Sequence, residues 1–166
     1  MLKVFRTPAR LSVVLVCTAL ATASCSSSTT LTAAEAGPQY QQLSTDIGDT
    51  LAAKFPGEPW LPVDNQQTRL SRHSDGKCFL SIGTLRSQDS LPDLAGGWEA
   101  VMEAVNPVLQ DSGFAEIKDT DSIKGGWQGI SSTDGSGGEL RIFSKDSTDI
   151  SVTAEVSDTD CSVSTE

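Results

Sequence analysis

An α+β fold, an antiparallel sheet with two helices packed on one face, follows from three features of the sequence. Two stretches, near residues 40–55 and 94–112, carry apolar residues at helical spacing. Other short segments alternate apolar with polar residues, most cleanly where Ile150, Val152, Ala154 and Val156 interleave with Ser151, Thr153 and Glu155. Gly-, Asp- and Ser-rich turns separate these segments, which fits an antiparallel meander. No internal repeat is visible, and a folded part of roughly 125 residues suits one domain with a single core.

The chain begins with the three-part layout of an export signal: Lys3, Arg6 and Arg10, then an apolar run from Leu11 to Ala23, then small residues before Cys25. A membrane-spanning helix needs about 20 mostly apolar residues, and this run is shorter and includes Ser12 and Thr18, so cleavage is the better reading. No twin arginine precedes the run, which favours the general secretion route. Thr22-Ala23-Ser24-Cys25 resembles the lipobox of bacterial lipoproteins, in which the cysteine is diacylated (palmitate-type chains) and becomes the mature N-terminus; Thr22 stands where an aliphatic residue is usual. The alternative is an ordinary signal peptide cut near Ala23 and a secreted, unanchored chain. Residues 1–24 are thus read as a lipoprotein signal peptide, 25–36 as a flexible tether too poor in large apolar groups to fold, and 37–166 as a single α+β domain.

Cysteine usage agrees with this division. Cys17 lies within the discarded signal and Cys25 takes the lipid, which leaves Cys78 and Cys161 as an even pair outside the cytoplasm, where a disulfide is expected. The chain has neither a C-x2–4-C nor an H-x3–5-H pair, which argues against a zinc knuckle. The whole chain carries a net charge of −10; without Lys3, Arg6 and Arg10, nine basic face 22 acidic side chains, giving −13. Such a surface excludes nucleic acid as a partner and is repelled by anionic headgroups, so membrane attachment rests on the acyl chains.

Along the domain, Tyr40, Leu43, Ile47, Leu51 and Phe55 mark a first helix that starts near Pro38 and stops at Phe55-Pro56-Gly57. Thr68 to Arg86 reads as a hairpin turning at Ser74-Asp75-Gly76, with Gly76 left-handed and with Leu70 and Arg72 on the same face as Cys78, Leu80 and Ile82. A second helix runs from Leu94 to Ser112 on the face of Trp98, Val101, Met102, Val105, Val108 and Leu109, with a kink expected at Pro107. Four strands follow: Phe114 to Lys118, Gly126 to Ser132, Glu139 to Ser144 and Asp149 to Ser157. Cys161 then ties the last strand to that of Cys78, its expected neighbour.

Taken together, the helix ending in Pro56-Gly57-x-x-Trp60, the strand cysteine Cys78, the strand Glu139-Leu140-Arg141-Ile142 and the closing Asp160-Cys161 resemble the LppA-like family of mycobacterial and related actinobacterial lipoproteins. The resemblance spans roughly residues 43–161. It implies an anchored, extracytoplasmic, disulfide-bonded domain, and it implies no catalytic residues.

Few residues carry chemistry. His73 is the single histidine, so a multi-histidine metal site is excluded, and Ser71, His73 and Asp75 share one strand and turn, where a catalytic triad does not ordinarily converge. The acidic pairs Asp119/Asp121, Asp134/Glu139 and Asp158/Asp160 lack the ligand order of a calcium loop and read as solvated turns. Paired carboxylates for glycoside hydrolysis leave no mark in sequence, since their separation is spatial. Trp98 reads as core. Trp60, between prolines, and Trp127, beside glycines, are the candidate binding residues, because an exposed indole stacks on sugars or anchors an interface. The expectation is a lipid-anchored, non-catalytic binding module on the outer face of the cell membrane. It takes no cofactor or metal, and its partner is an envelope protein or wall component. A lipid or small-ligand carrier, and a cell-wall hydrolase, are the alternatives.

Overall fold

The cleanly alternating segment near the C-terminus becomes the central strand of the sheet. In the computed structural model, which describes residues 30–57, 59–64 and 66–161, this strand is β8 (Thr148–Val156), and strands flank it on both sides. On one side lie β7 (Gly138–Ser144), β6 (Trp127–Thr133) and the edge strand β5 (Asp121–Ile123). On the other, β3 (Cys78–Ser81) pairs with the second half of β8 and β4 (Leu85–Ser87) with the first half. Outside these sit β2 (Arg69–Arg72) on β3 and β1 (Leu61–Pro62) on β4, and every pairing is antiparallel. The export signal, Cys17 and Cys25 lie outside the described residues.

Register decides which side chains form the core. Leu140 faces Val152, Ile142 faces Ile150 and Leu80 faces Ala154, so one face of the sheet is a continuous apolar surface whose members are all nearly inaccessible to solvent. Each Leu, Ile or Val among them contributes about 1.5 to 3 kcal/mol on burial. Over this face lies α1 (Ala33–Lys54), which presents Ala36, Tyr40, Leu43, Ile47 and Leu51 to β8 and β3; beside it α3 (Trp98–Asp111) buries Trp98, Val101, Val105 and Leu109 toward β6. Both helices cover the same face, as the alternation of the strands requires.

Several boundaries differ from the sequence-based expectation. The first helix begins at Ala33, so the last residues assigned to the tether are folded. Thr32 and Glu35 form a capping box, a device worth about 1 kcal/mol; Ala33 N–H donates to Asp158 Oδ2 at 2.6 Å, and Ser157 N–H to Leu31 O at 2.8 Å. The apolar pattern gave no sign of this, because the first turn is held by polar contacts with the exit of β8. The second helix is two. A short α2 (Leu91–Ala95) ends at Gly96, and Gly96 and Gly97 both have positive φ, which redirects the chain before α3. α3 then continues through Pro107 to Asp111.

The segment expected as a strand at 114–118 makes only an isolated bridge, Phe114 with Asp134. The Asn106 side chain takes both backbone groups of Ile117, donating to its oxygen at 3.0 Å and accepting from its N–H at 2.9 Å. That contact docks the segment on α3, and β5, absent from the expectation, takes the sheet edge. The 68–86 hairpin turns at the expected residues, with Gly76 at φ 88° and Arg72 opposite Cys78. Its second arm is interrupted at Ile82-Gly83-Thr84, where three residues oppose Ser151 and Val152 of β8, so the arm is read as β3 and β4.

Two cross-links hold the end of the sheet nearest the start of α1. Cys78 on β3 and Cys161 beyond β8 form the expected disulfide, with Cα atoms 5.3 Å apart. Tyr40 passes over Gly138, where a Cβ would lie 2.6 Å from the phenol oxygen, and its hydroxyl donates to Asp134 Oδ2 at 2.7 Å. The other oxygen of Asp134 accepts from the N–H groups of Ser136 and Gly138, so one carboxylate fixes the β6–β7 turn and ties it to α1.

The disulfide closes a loop of sequence separation 83, which the chain-entropy relation converts to about 4 to 5 kcal/mol. Replacing both cysteines by serine is expected to lower the unfolding free energy by about that amount in urea titration. Burial, then the hydrogen bond to Asp134 and its charge, push the Tyr40 phenol well above its ordinary value. A folded-state value raised above that of the unfolded chain stabilises fully below about pH 10 and is lost as pH rises beyond it. Tyr40→Phe is therefore expected to cost about 1.5 to 3 kcal/mol at neutral pH and to show a shallower decline in stability above about pH 10 than the parent chain.

Candidate functional site

The helices leave the second face of the sheet open, and strand alternation determines what it carries. Glu139, Arg141 and Phe143 of β7 point to this face, as do Trp127, Gly129 and Ser131 of β6, Ser151, Thr153 and Glu155 of β8, and Phe79 of β3. Most of these are polar. Phe79 is one exception, covered by the His73 ring; the larger one is a group at the β5 end, where Ile123 pairs with Trp127 and the Trp127 and Phe143 rings meet edge to face, centroids 5.7 Å apart. Gly129 lies directly opposite Phe143, and a Cβ there would come within 2.7 Å of Ile142 O and 3.1 Å of Phe143 Cβ. The glycine is therefore what lets the phenylalanine lie close against β6.

Between these side chains runs a groove. Ile123, Trp127, Arg141 and Phe143 line a hollow of about 320 Å³, and a second of about 260 Å³ continues along Asp121, Gly129 and Ser131. Beyond Phe143 a third hollow of about 420 Å³ is lined by polar groups that include Gln66, Arg69, Thr84 and Thr153. Ile123 is 44% exposed and Trp127 is half-buried. The polar rim is pre-arranged. Arg141 Nε donates to Glu139 Oε1 at 2.9 Å, and Asp121 Oδ2 accepts from Ser131 Oγ at 2.7 Å. An indole and a phenyl ring beside a fixed guanidinium and hydroxyl suit stacking on a sugar ring or clasping a side chain.

A paired charge crosses the same face. Arg86 of β4 binds Asp149 of β8 through both nitrogens, Nε to Oδ1 at 2.5 Å and Nη2 to Oδ2 at 2.6 Å. The hydrogen bond to Asp149 raises the guanidinium's pKa further. It opposes Leu61 of β1, 58% exposed, and extends the surface toward the other edge of the sheet.

The remaining candidates are dispersed. Trp60 is half-buried against the core on the helix-covered side, near Gly48 of α1, and does not meet Trp127. Trp98 is in the core, its Nε1 donating to Gln128 Oε1 at 3.3 Å. The His73 ring stacks on Phe79, Ser71 Oγ donates to Phe79 O, and Asp75 accepts from the Lys77 N–H. The three are thus engaged separately. Asp134 and Asp158 are turn and helix caps, and no group of three or more metal-ligating side chains gathers among the described residues. No described helix is long and apolar enough to cross a membrane. Cys25 is outside the described residues.

Sequence reasoning singled out Trp127 and missed its neighbours. Phe143 could have been found, since it breaks the polar phase of an alternating strand; Ile123 could not, because β5 itself was not anticipated.

No family model matches the chain, and no curated protein matches its sequence. Two solved structures are similar. The crystal structure of LppA from Mycobacterium tuberculosis, designated a lipoprotein, aligns with a TM-score of 0.54 over 75% of this chain and 79% of that one, at 12% identity. A DUF4853 family protein from Actinomyces odontolyticus aligns with a TM-score of 0.47 over 77% of this chain and 66% of that one, at 14% identity. At 12% identity the likeness to LppA is one of architecture: this chain has an LppA-like fold, as its resemblance to that family leads one to expect.

Proposed function

We propose that the chain is a lipoprotein held at the outer face of the cell membrane through acylated Cys25, and that it acts as a non-catalytic module binding an envelope protein or wall component on the open sheet face around Trp127. The observation that carries the binding reading is the groove of Ile123, Trp127, Arg141 and Phe143: three large apolar side chains gathered around a guanidinium on a mostly polar sheet face, left uncovered by the helices. A typical solvent-facing sheet carries polar residues there, and an uncovered aromatic group is costly unless something else uses it. The hollows open to solvent, a shape that suits a docked side chain or sugar better than an enclosed acyl chain.

The anchor is supported by different observations. The lipobox-like residues 22–25 follow an export signal, the two cysteines of the folded domain pair with each other and leave Cys25 free for a lipid, and the similar fold of LppA belongs to a designated lipoprotein. An excess of acidic side chains keeps the domain itself off anionic headgroups, which leaves the acyl chains as the attachment.

A photo-reactive amino acid at position 127, used in intact cells, is expected to give a discrete cross-linked species that the same probe at Asp49, on the exposed face of α1, does not give. No adduct at 127, or identical adducts at both positions, would remove the binding reading. Cys25→Ser is expected to release the chain into the medium, with intact-mass analysis of the parent chain showing an acylated N-terminal cysteine.

A further inference from the structure

The contacts that fasten the start of α1 also fix which way the domain faces. Leu31 O accepts from Ser157 N–H, Ala33 N–H donates to Asp158 Oδ2, and Leu31 packs against the core. The segment they bind is itself held twice, by the Cys78–Cys161 disulfide and by Arg72 Nη2, which donates to Thr159 O at 2.8 Å. From Leu31 onward the chain is therefore part of the folded body. We infer that this strapped end of the domain, formed by the start of α1, the exit of β8 and the β2–β3 turn, faces the lipid surface, and that the Trp127 groove is presented away from it. The inference rests on the anchored reading of Cys25.

Two lengths decide the matter. Six residue steps separate Cys25 from Leu31, and at about 3.6 Å each they reach at most about 22 Å, whatever their conformation. The groove lies at the opposite end of the sheet. Trp127 begins β6 and lies past Gln128, which pairs with Ser144 at the end of β7, next to Thr148 at the start of β8, whereas the strap lies just past Val156 at its end. Eight steps of β8 at about 3.4 Å span roughly 27 Å. A tether shorter than the strand it would have to run back along cannot bring the groove end to the headgroups.

The distribution of apolar surface makes this more than a matter of geometry. Among the described residues, the exposed large hydrophobics are Leu61, Leu94 and Ile123. All lie toward the groove end: Leu61 opposite Arg86, Leu94 in the short helix whose first residue donates its N–H to Thr148 Oγ1, and Ile123 opposite Trp127. By hydrophobicity alone this end would be the one to meet a bilayer. The strapped end carries instead Glu35, Asp75, Asp158 and Asp160 with Arg72 and Lys77, a polar surface that stands over headgroups without inserting. The short tether holds the polar end to the membrane and leaves the apolar end for a partner further out.

Fluorescence transfer to the bilayer tests this in the full acylated chain. Donor dye is placed on Ser74→Cys in the β2–β3 turn or on Asp146→Cys in the β7–β8 turn, both exposed, with the native disulfide kept oxidised, in phosphatidylglycerol–phosphatidylcholine vesicles bearing a lipid acceptor. Transfer at position 74 is expected to be at least twofold more efficient than at 146. Inserting about twenty Gly and Ser residues between Thr30 and Leu31 is expected to bring the two to parity, since the reach then exceeds the length of the domain. Equal or reversed efficiencies in the parent chain would overturn the orientation, and so would a preference unchanged by the insertion. A chain that neither floats with vesicles nor carries an acyl mass fails the anchored reading itself, an outcome distinct from an acylated, floating chain without orientation.

Discussion

Strand β8 is the constraint on which the rest depends. It is paired along both edges, with β7 on one side and β3 and β4 on the other, and its inward residues Thr148, Ile150, Val152, Ala154 and Val156 are nearly inaccessible to solvent. α1 packs on that face, and the residues just beyond β8 return to hold the start of the same helix. Because side chains alternate along a strand, a slip of one residue would turn the apolar row outward and separate Cys161 from Cys78. The disulfide and the Tyr40–Asp134 clasp sit at the same end, so the register is pinned where helix, sheet and chain exit meet.

This arrangement leaves a molecule with two unlike faces and two unlike ends. The helices bury the apolar face, and the open face is mostly polar, its apolar side chains gathering where Gly129 allows Phe143 to lie against β6 and Trp127 and Ile123 close around it. The bidentate Arg86–Asp149 pair crosses that face without leaving a bare charge, so a neutral ligand would meet satisfied polar groups there. The bonds that begin α1 give the domain a polar end and draw the chain into the folded body from Leu31 onward. The Trp127 groove and the start of the folded chain are thus placed at opposite ends of the same sheet.

Much of the architecture was legible because it rests on local rules. The alternation of residues 150–156, the Gly76 turn and the helical stripe of Tyr40, Leu43, Ile47 and Leu51 each appear as the pattern implies. Two of the departures from the pattern come from polar contacts outside it. The helix start was placed near Pro38 because the fixing partners, Asp158 and Ser157, are remote in sequence from Ala33 and Leu31. Residues 114–118 have strand-like composition, yet Asn106 satisfies the backbone of Ile117 and removes it from the sheet. Gly96 and Gly97 were absorbed into one helix although their positive φ values make them the break between two.

The sequence by itself determined the acidic charge, the cysteine pair of the folded domain and the α+β class, because composition, spacing and periodicity are properties of the chain before it folds. Only the tertiary structure decided that Trp60 joins the core margin while Trp127 opens onto a groove with Ile123, Arg141 and Phe143, since a side chain's exposure depends on which strands and helices become its neighbours. It also decided how far the folded body extends toward Cys25, because hydrogen bonds to the far end of the chain, invisible to any local pattern, hold Leu31 and Ala33 in place.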